Sequence, residues 1–196
     1  MSNNPLAASY FHQLQTALAH AVLAEPILVI DRDRLDANID RLKTHLPKDM
    51  AYRIVAKSLP SAPLIEHVAS RAGTDRLMSF NTNMVEQLIA LMPEADQLLG
   101  KPIPIVAVQH IFERADTAVA SALQQQVQWL IDTPERLGQY EAFAASSGLN
   151  LRINLEIDVG LHRGGMEPDN ALATALQRIS NCKHLELSGL MGYEPH

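Results

Sequence analysis

The feature that most constrains the fold is a repeated alternation of short apolar runs with longer amphipathic segments whose apolar positions recur at helical spacing. Pro26–Ile30 reads as a strand, and Leu35, Ile39 and Leu42 then mark a helix over Leu35–His45 that Pro47 stops. Tyr52–Ala56 reads as a second short strand, ending at Lys57, and a helix over Ser61–Arg71 closes at Gly73. Arg76–Phe80 and Ala95–Leu99 read as strands on either side of a helix over Thr82–Leu91. Ile103–Leu123 is mostly helical. Val127–Ile131 is a strand, after which Thr133 and Pro134 suit the cap and first turn of a helix reaching Ser147. Leu151–Ile157 is a strand, followed by a glycine-rich loop, a helix over Asn170–Ile179 and a last strand, Leu185–Met191.

Strands that alternate with helices build right-handed βαβ units around a parallel sheet. The expected class is α/β, a partial (β/α)8 TIM-type barrel of about six βα units counted from Tyr52. A complete barrel takes about 250 residues, and this chain has 196. An open α/β sheet needs no closure and is the structural competitor. No strand is followed by a GxGxxG or P-loop pattern, which argues against nucleotide binding. The expected organisation is an N-terminal helical extension over residues 1–25 and an incomplete barrel over residues 26–196.

Composition narrows the partners. The chain is 47% hydrophobic and 19% charged, with a net charge of −6, so no basic footprint points to nucleic acid or an anionic membrane. Cys182 is the lone cysteine, which excludes an intrachain disulfide and a CxxC metal pair and fits a reducing cytosol. Met1–Pro26 lacks the basic start and apolar centre of a secretory signal, and no apolar run approaches the roughly 20 residues of a membrane span. A cytoplasmic location is expected. His67 and His110 fall in helical patterns without a second ligand at metal spacing, and no metal site is expected.

Ligands of parallel α/β folds gather at the carboxyl ends of the strands. That rule selects Lys57, the loop Asp158–Gly165 and the segment Gly192–His196. A lysine amine attacks aldehydes when burial or a neighbouring cation frees it of its proton, and Arg53 and Arg163 are the candidate neighbours. Gly160, Gly164 and Gly165 permit a tight loop, with ligand contact as a second possibility. His162 reads as a solvated loop residue. Asn81, Asn83 and Ser79 read as helix-capping residues at a strand end.

Four segments carry a family resemblance, in order along the chain. Arg53-Ile54-Val55-Ala56-Lys57-Ser58 resembles the lysine strand of fold-type III enzymes that use pyridoxal 5'-phosphate (PLP). Asp158-Val159-Gly160-Leu161-His162-Arg163-Gly164-Gly165 resembles the strand-five loop of D-threonine aldolases and D-serine dehydratases. Gly189-Leu190-Met191-Gly192-Tyr193-Glu194-Pro195-His196 is similar to their next strand, with a tyrosine and then a histidine three residues on. Pro26–Asp31 with Leu35 and Asn38 is similar to their first strand and helix.

The resemblance implies an alanine racemase N-terminal-type barrel that acts on amino acids, as racemase, D-3-hydroxy amino acid aldolase or D-serine dehydratase. Lys57 would hold PLP and exchange a proton at the substrate α-carbon. Arg163 would lie beside the cofactor ring, Tyr193 would hydrogen-bond in the site, and Asp158 would orient Arg163 or simply form the turn. Full members close the barrel with later strands that carry phosphate-binding loops, add a C-terminal β domain, and in some cases bind a divalent metal there. Those ligands are missing here. The resemblance therefore also implies either a homo-oligomer or association with a C-terminal half. The alternatives are a non-catalytic PLP-binding or interaction module and a PLP-homeostasis protein. The last of these carries a Gly-Glu-Asn tract where this chain has Ser79-Phe80-Asn81-Thr82-Asn83.

Overall fold

A computed structural model describes residues 5–21 and 25–195. Backbone contacts divide the chain into two compact units, Met1–Ala37 and Asn38–His196. The first unit holds helix α1 (Pro5–His20) and the start of α2 (Arg32–His45). Asp31 caps α2 by accepting from Arg34 N at 3.0 Å, and the Arg34 guanidinium stacks 3.5 Å from the Tyr10 ring centroid. The run Pro26–Ile30, expected as a strand, joins none of the strands of the sheet. The apolar pattern is strand-like, yet a strand exists only where its backbone donors and acceptors find a neighbour. Leu28 accordingly remains 92% exposed.

The second unit is one six-stranded parallel sheet: β1 (Ile54–Val55), β2 (Arg76–Ser79), β3 (Asp96–Leu99), β4 (Val127–Ile131), β5 (Leu151–Ile157) and β6 (Leu185–Gly192). Strand order follows chain order throughout, and every pairing is parallel. An open doubly wound sheet would reverse direction at a switch point. This one never does, and it is a partial (β/α)8-type barrel.

The crossovers are α3 (Ala62–Ala72), α4 (Thr82–Leu91), the pair α5 (Ile105–Arg114) and α6 (Thr117–Gln125), α7 (Pro134–Ser147) and α8 (Asn170–Asn181). Local chemistry sets their ends. Asn81, Thr133 and Asp169 cap α4, α7 and α8, and Gly73 (φ 71°) and Gly148 (φ 64°) end α3 and α7 in the left-handed region. The segment Ile103–Leu123, expected to be mostly helical, is two helices parted at Ala115, because Asp116 starts a new helix by accepting from Val119 N at 2.9 Å. The expected strand Tyr52–Ala56 shrinks to Ile54–Val55, since β1 has a neighbour on one side only; Ala56–Ser58 turn away as a 3-10 helix.

Alternation gives each strand two faces. Leu151, Ile153 and Leu155 join Trp129, Ile131, Leu99, Leu137 and Tyr140 in the apolar core beneath the helices. Arg152, Asn154 and Glu156 turn to the opposite face. There Asp96 is the hub, accepting from Arg53, from Gln128 Nε2 at 2.8–2.9 Å and from Arg152 Nη1 at 2.8 Å, while Asn154 Nδ2 donates to Gln128 Oε1 at 2.9 Å. One irregularity interrupts the β5–β6 ladder: Ile153 pairs with Leu187 but Asn154 with Gly189, so Ser188 bulges. Among the described residues no helix is long and apolar enough to cross a membrane.

Burial alone would raise the Asp96 carboxyl, but hydrogen bonds from Gln128, Arg53 and Arg152 outweigh it and hold the group below the usual carboxylate range. A carboxyl depressed in the folded state adds stability that is complete above its unfolded value, near 3.9, and is lost as pH falls through the lower folded value. Asp96→Ala should lower unfolding stability by about 2–4 kcal/mol at pH 7, leaving two half-buried guanidinium groups without their acceptor. Urea melts at stepwise lower pH should show the difference from the unmodified chain closing in acid.

Candidate active site

The carboxyl ends of all six strands open on one side of the sheet, around a cavity of about 640 Å³. Its lining includes Lys57, Phe80, Asp132, Glu156, Arg163 and Tyr193. Lys57, Arg163 and Tyr193 thus share one space, although three different elements supply them. A void of this size is within the usual range for a small-molecule or cofactor site.

Lys57 sits in the 3-10 turn that follows β1, anchored by its buried neighbour Ala56 and by the bond from Leu59 N to Ala56 O at 3.1 Å. Its side chain is exposed, with Nζ 4.1 Å from the Phe80 ring centroid. Neither expected cation is its partner. The Arg53 guanidinium points to the amino end of the sheet, donating to Leu77 O at 2.8 Å and to Asp96. The reason is the pleat and the acceptor: Arg53 precedes β1 at its amino end, where Asp96 offers a carboxylate within reach.

Arg163 rides on the loop that leaves β5. Asp158 folds that loop, accepting from Gly160 N and His162 N at 3.0 Å and from His162 Nδ1 at 2.7 Å. Those bonds hold the Asp158 carboxyl below its ordinary range. Positive φ at Gly160 (111°), His162 (53°) and Gly165 (98°) completes the bend, and a Cβ at Gly165 would stand 2.7 Å from the Ile157 carbonyl carbon and Asp158 N. Two backbone bonds, Met166 N to Glu156 O at 2.8 Å and Asp158 N to Met166 O at 2.9 Å, pin both ends of the loop. Asp158 therefore takes the turn-forming role, and its oxygens are spent on its own loop. His162 is largely solvated, as expected, yet it is tied to Asp158.

The carboxylate that faces Arg163 is Glu156, at 4.0 Å, while the Arg163 guanidinium lies 4.5 Å from the Tyr193 ring centroid. Sequence reasoning passed over Glu156; its signal was its place as the last inward residue of β5, two positions above Asn154. Burial pushes its carboxyl up, Asp132 and Asp158 push the same way, and Arg163 opposes them. Asp132, also missed, accepts from Arg136 Nε at 2.7 Å; Arg136 and Tyr140 both donate to Ile103 O, at 3.1 and 2.9 Å, which fixes the loop Gly100–Pro104 at the rim.

The remaining candidates are structural. Asn81 caps α4, accepting from Met84 N at 2.8 Å, and Ser79 is buried in β2. Cys182 is a half-buried thiol at the end of α8. His196 lies outside the described residues. Among the described residues no group of three His, Cys, Asp or Glu side chains is placed to hold a metal ion.

The residues present fit the aldehyde and ring end of PLP: a primary amine, an aromatic face and a guanidinium on one open cavity, with Lys101 adding a second exposed lysine at the rim. The family description "Alanine racemase, N-terminal domain" matches residues 30–196. The chain is 25% identical to the biosynthetic alanine racemase of Salmonella typhimurium over 158 residues, which is 81% of this chain and 40% of that protein. It therefore spans about two fifths of the curated relatives it matches. In three dimensions it resembles the D-threonine aldolase of Filomicrobium marinum (TM-score 0.69, 16% identity, 86% of this chain and 43% of that one). It also resembles the alanine racemase of Bacillus anthracis with bound L-Ala-P (TM-score 0.65, 20% identity, 86% and 42%) and the histidine racemase of Leuconostoc mesenteroides (TM-score 0.64, 18% identity, 83% and 41%).

A buried carboxyl whose folded value is raised costs stability in the opposite sense to Asp96: the cost is absent below the unfolded value, near 4.3, and grows as pH rises toward and through the folded value. Glu156→Gln should raise the melting temperature at pH 7, and the gain should vanish near pH 4. Gly165→Ala should cost about 1–3 kcal/mol at either pH, because the residue's φ and its close backbone approach both exclude a Cβ.

Proposed function

We propose, for a chain that belongs to the alanine racemase N-terminal domain family, that it forms the lysine-bearing part of a PLP-dependent enzyme acting on D-amino acids, as aldolase, dehydratase or racemase. The single observation that carries the reading is the shared cavity of Lys57 Nζ, the Arg163 guanidinium and the Tyr193 phenol.

When bound, PLP supplies an electron sink for the substrate α-carbon. Lys57 would hold the aldehyde carbon and would carry a proton for the substrate α-carbon. Arg163 would bring a positive charge to the cavity, which would disfavour a further proton on a bound ring nitrogen. Glu156, facing Arg163 from β5, holds that guanidinium toward the cavity, and the Tyr193 hydroxyl hydrogen-bonds within the site. Asp158 acts through the loop it folds. The six-stranded sheet lies within Asn38–His196. The wider barrel domain proposed over residues 26–196, after an N-terminal extension over residues 1–25, would need Pro26–Ile30 to gain a strand partner. The proposed setting is cytoplasmic, without nucleic acid or membrane as partner.

A second reading, a PLP-binding or interaction module without turnover of its own, is favoured by one specific observation. The relatives continue well beyond the matched region. The outward side chains Leu187 (42% exposed) and Leu190 (51%) of β6 leave apolar surface open on that face. Self-association or a C-terminal half would cover that face. The two readings separate in one set of measurements. PLP added to the pure protein should give a visible absorbance band that Lys57→Ala abolishes, and light scattering should give a mass above one chain. Turnover of D-threonine, D-serine or alanine by the loaded protein supports the enzyme; a Lys57-dependent band with no turnover supports the module. No Lys57-dependent band would sink the enzyme and the PLP-binding module together, leaving only an interaction module.

A further inference from the structure

The ring beneath Lys57 is held in place by an absence. Phe80 follows β2 at the rim, and Gly100 follows the neighbouring strand β3, joined to it by the bond from Gly100 N to Ser79 O at 2.8 Å. A Cβ at Gly100 would lie 2.4 Å from both Cε1 and Cζ of Phe80 and 2.8 Å from Met78 Sδ. The Phe80 ring therefore fills the space that a side chain at position 100 would need. The Ser79–Gly100 bond ties the two strand ends together, so the backbone is not free to open that space.

Lys57 Nζ is over this ring, 4.1 Å from its centroid. Among the described residues no carboxylate forms an ion pair with it, so the ring is the partner the structure gives the ammonium. An aromatic face attracts a cation through its quadrupole and takes no proton from it. It orients a flexible four-carbon stem while leaving the amine nothing to break beyond a weak, non-directional attraction. A carboxylate at the same place would hold the ammonium in a salt bridge and oppose release.

We infer that Phe80 is a positioning residue for the Lys57 amine, and that glycine at position 100 is required to seat it. The functional part of this inference rests on the reading of Lys57 as the aldehyde-binding amine; the geometric part does not. In wild type the ring keeps Nζ at the cavity whose lining includes Arg163 and Tyr193. Without it the exposed stem samples solvent rotamers and the aldehyde meets a less concentrated amine.

The test uses the full chain. Reductive methylation with 13C-formaldehyde labels Lys43, Lys48, Lys57, Lys101 and Lys183, and Lys57→Arg identifies the Lys57 methyl resonance. That resonance should be displaced upfield by the ring current, should return to the position of the other lysines in Phe80→Leu, and should stay displaced in Phe80→Tyr. An undisplaced Lys57 signal in the wild-type chain overturns the inference, whether or not PLP binds. In parallel, PLP is titrated and the adduct trapped with borohydride; the amine joins the aldehyde carbon, water leaves, and borohydride delivers the hydride. Half-maximal trapping at Lys57 should need about fivefold more PLP in Phe80→Leu and in Gly100→Ala, and change less than about twofold in Phe80→Tyr. Equal trapping by Phe80→Leu overturns the positioning role. A displaced resonance with no trapping in any variant leaves the contact standing and defeats the PLP reading instead. Should Gly100→Ala fail to fold, the two Phe80 variants carry the test alone.

Discussion

Parallel pairing is the constraint on which everything else depends. A strand can lie parallel to its predecessor only if the chain crosses back over the sheet, and in this protein helices make every crossing. Each strand then finishes on the same side. Lys57, Asp132, Arg163 and Tyr193 are spread over more than a hundred positions of sequence, and they converge for that topological reason before any of them makes a specific contact.

The pleat divides the labour. The face under the helices is apolar and tightly filled, with Trp129, Tyr140 and Ile131 fully buried. The other face is graded from end to end. At the amino end, Asp96 gathers two arginines and a glutamine into a network of charge-assisted bonds. At the carboxyl end, the charges are left less completely paired: Glu156 meets Arg163 at 4.0 Å, and Lys57 lies over an aromatic ring with no ion pair among the described residues. Satisfied charge holds the base together, while the loosely held charge at the mouth is what the proposed chemistry would draw on.

Much of this was legible in the sequence. Thr82–Leu91, Val127–Ile131 and Leu151–Ile157 were readable to the residue, because capping side chains and apolar alternation coincide at their ends. That Lys57, Arg163 and Tyr193 would meet at one mouth was readable from their places at strand ends. Other features depended on neighbours that no local pattern encodes. Pro26–Ile30 has a strand's composition but no partner; Arg53 looked like a neighbour for Lys57 but is claimed by Asp96 from forty-three positions away. Glu156 was hidden inside a strand whose alternation was read for its apolar half, and Phe80 mattered only once Gly100 was known to lie beside it.

The bulge at Ser188 has a consequence for handedness of the side chains beyond it. Up to Leu187, odd-numbered residues of β6 point toward the helices; after the inserted residue the parity inverts, and Gly189, Met191 and Tyr193 point the other way. One unpaired serine thereby decides which side of the sheet receives the phenol. Were that serine kept but drawn into a regular ladder, every residue beyond it would change faces and Tyr193 would turn toward the helices.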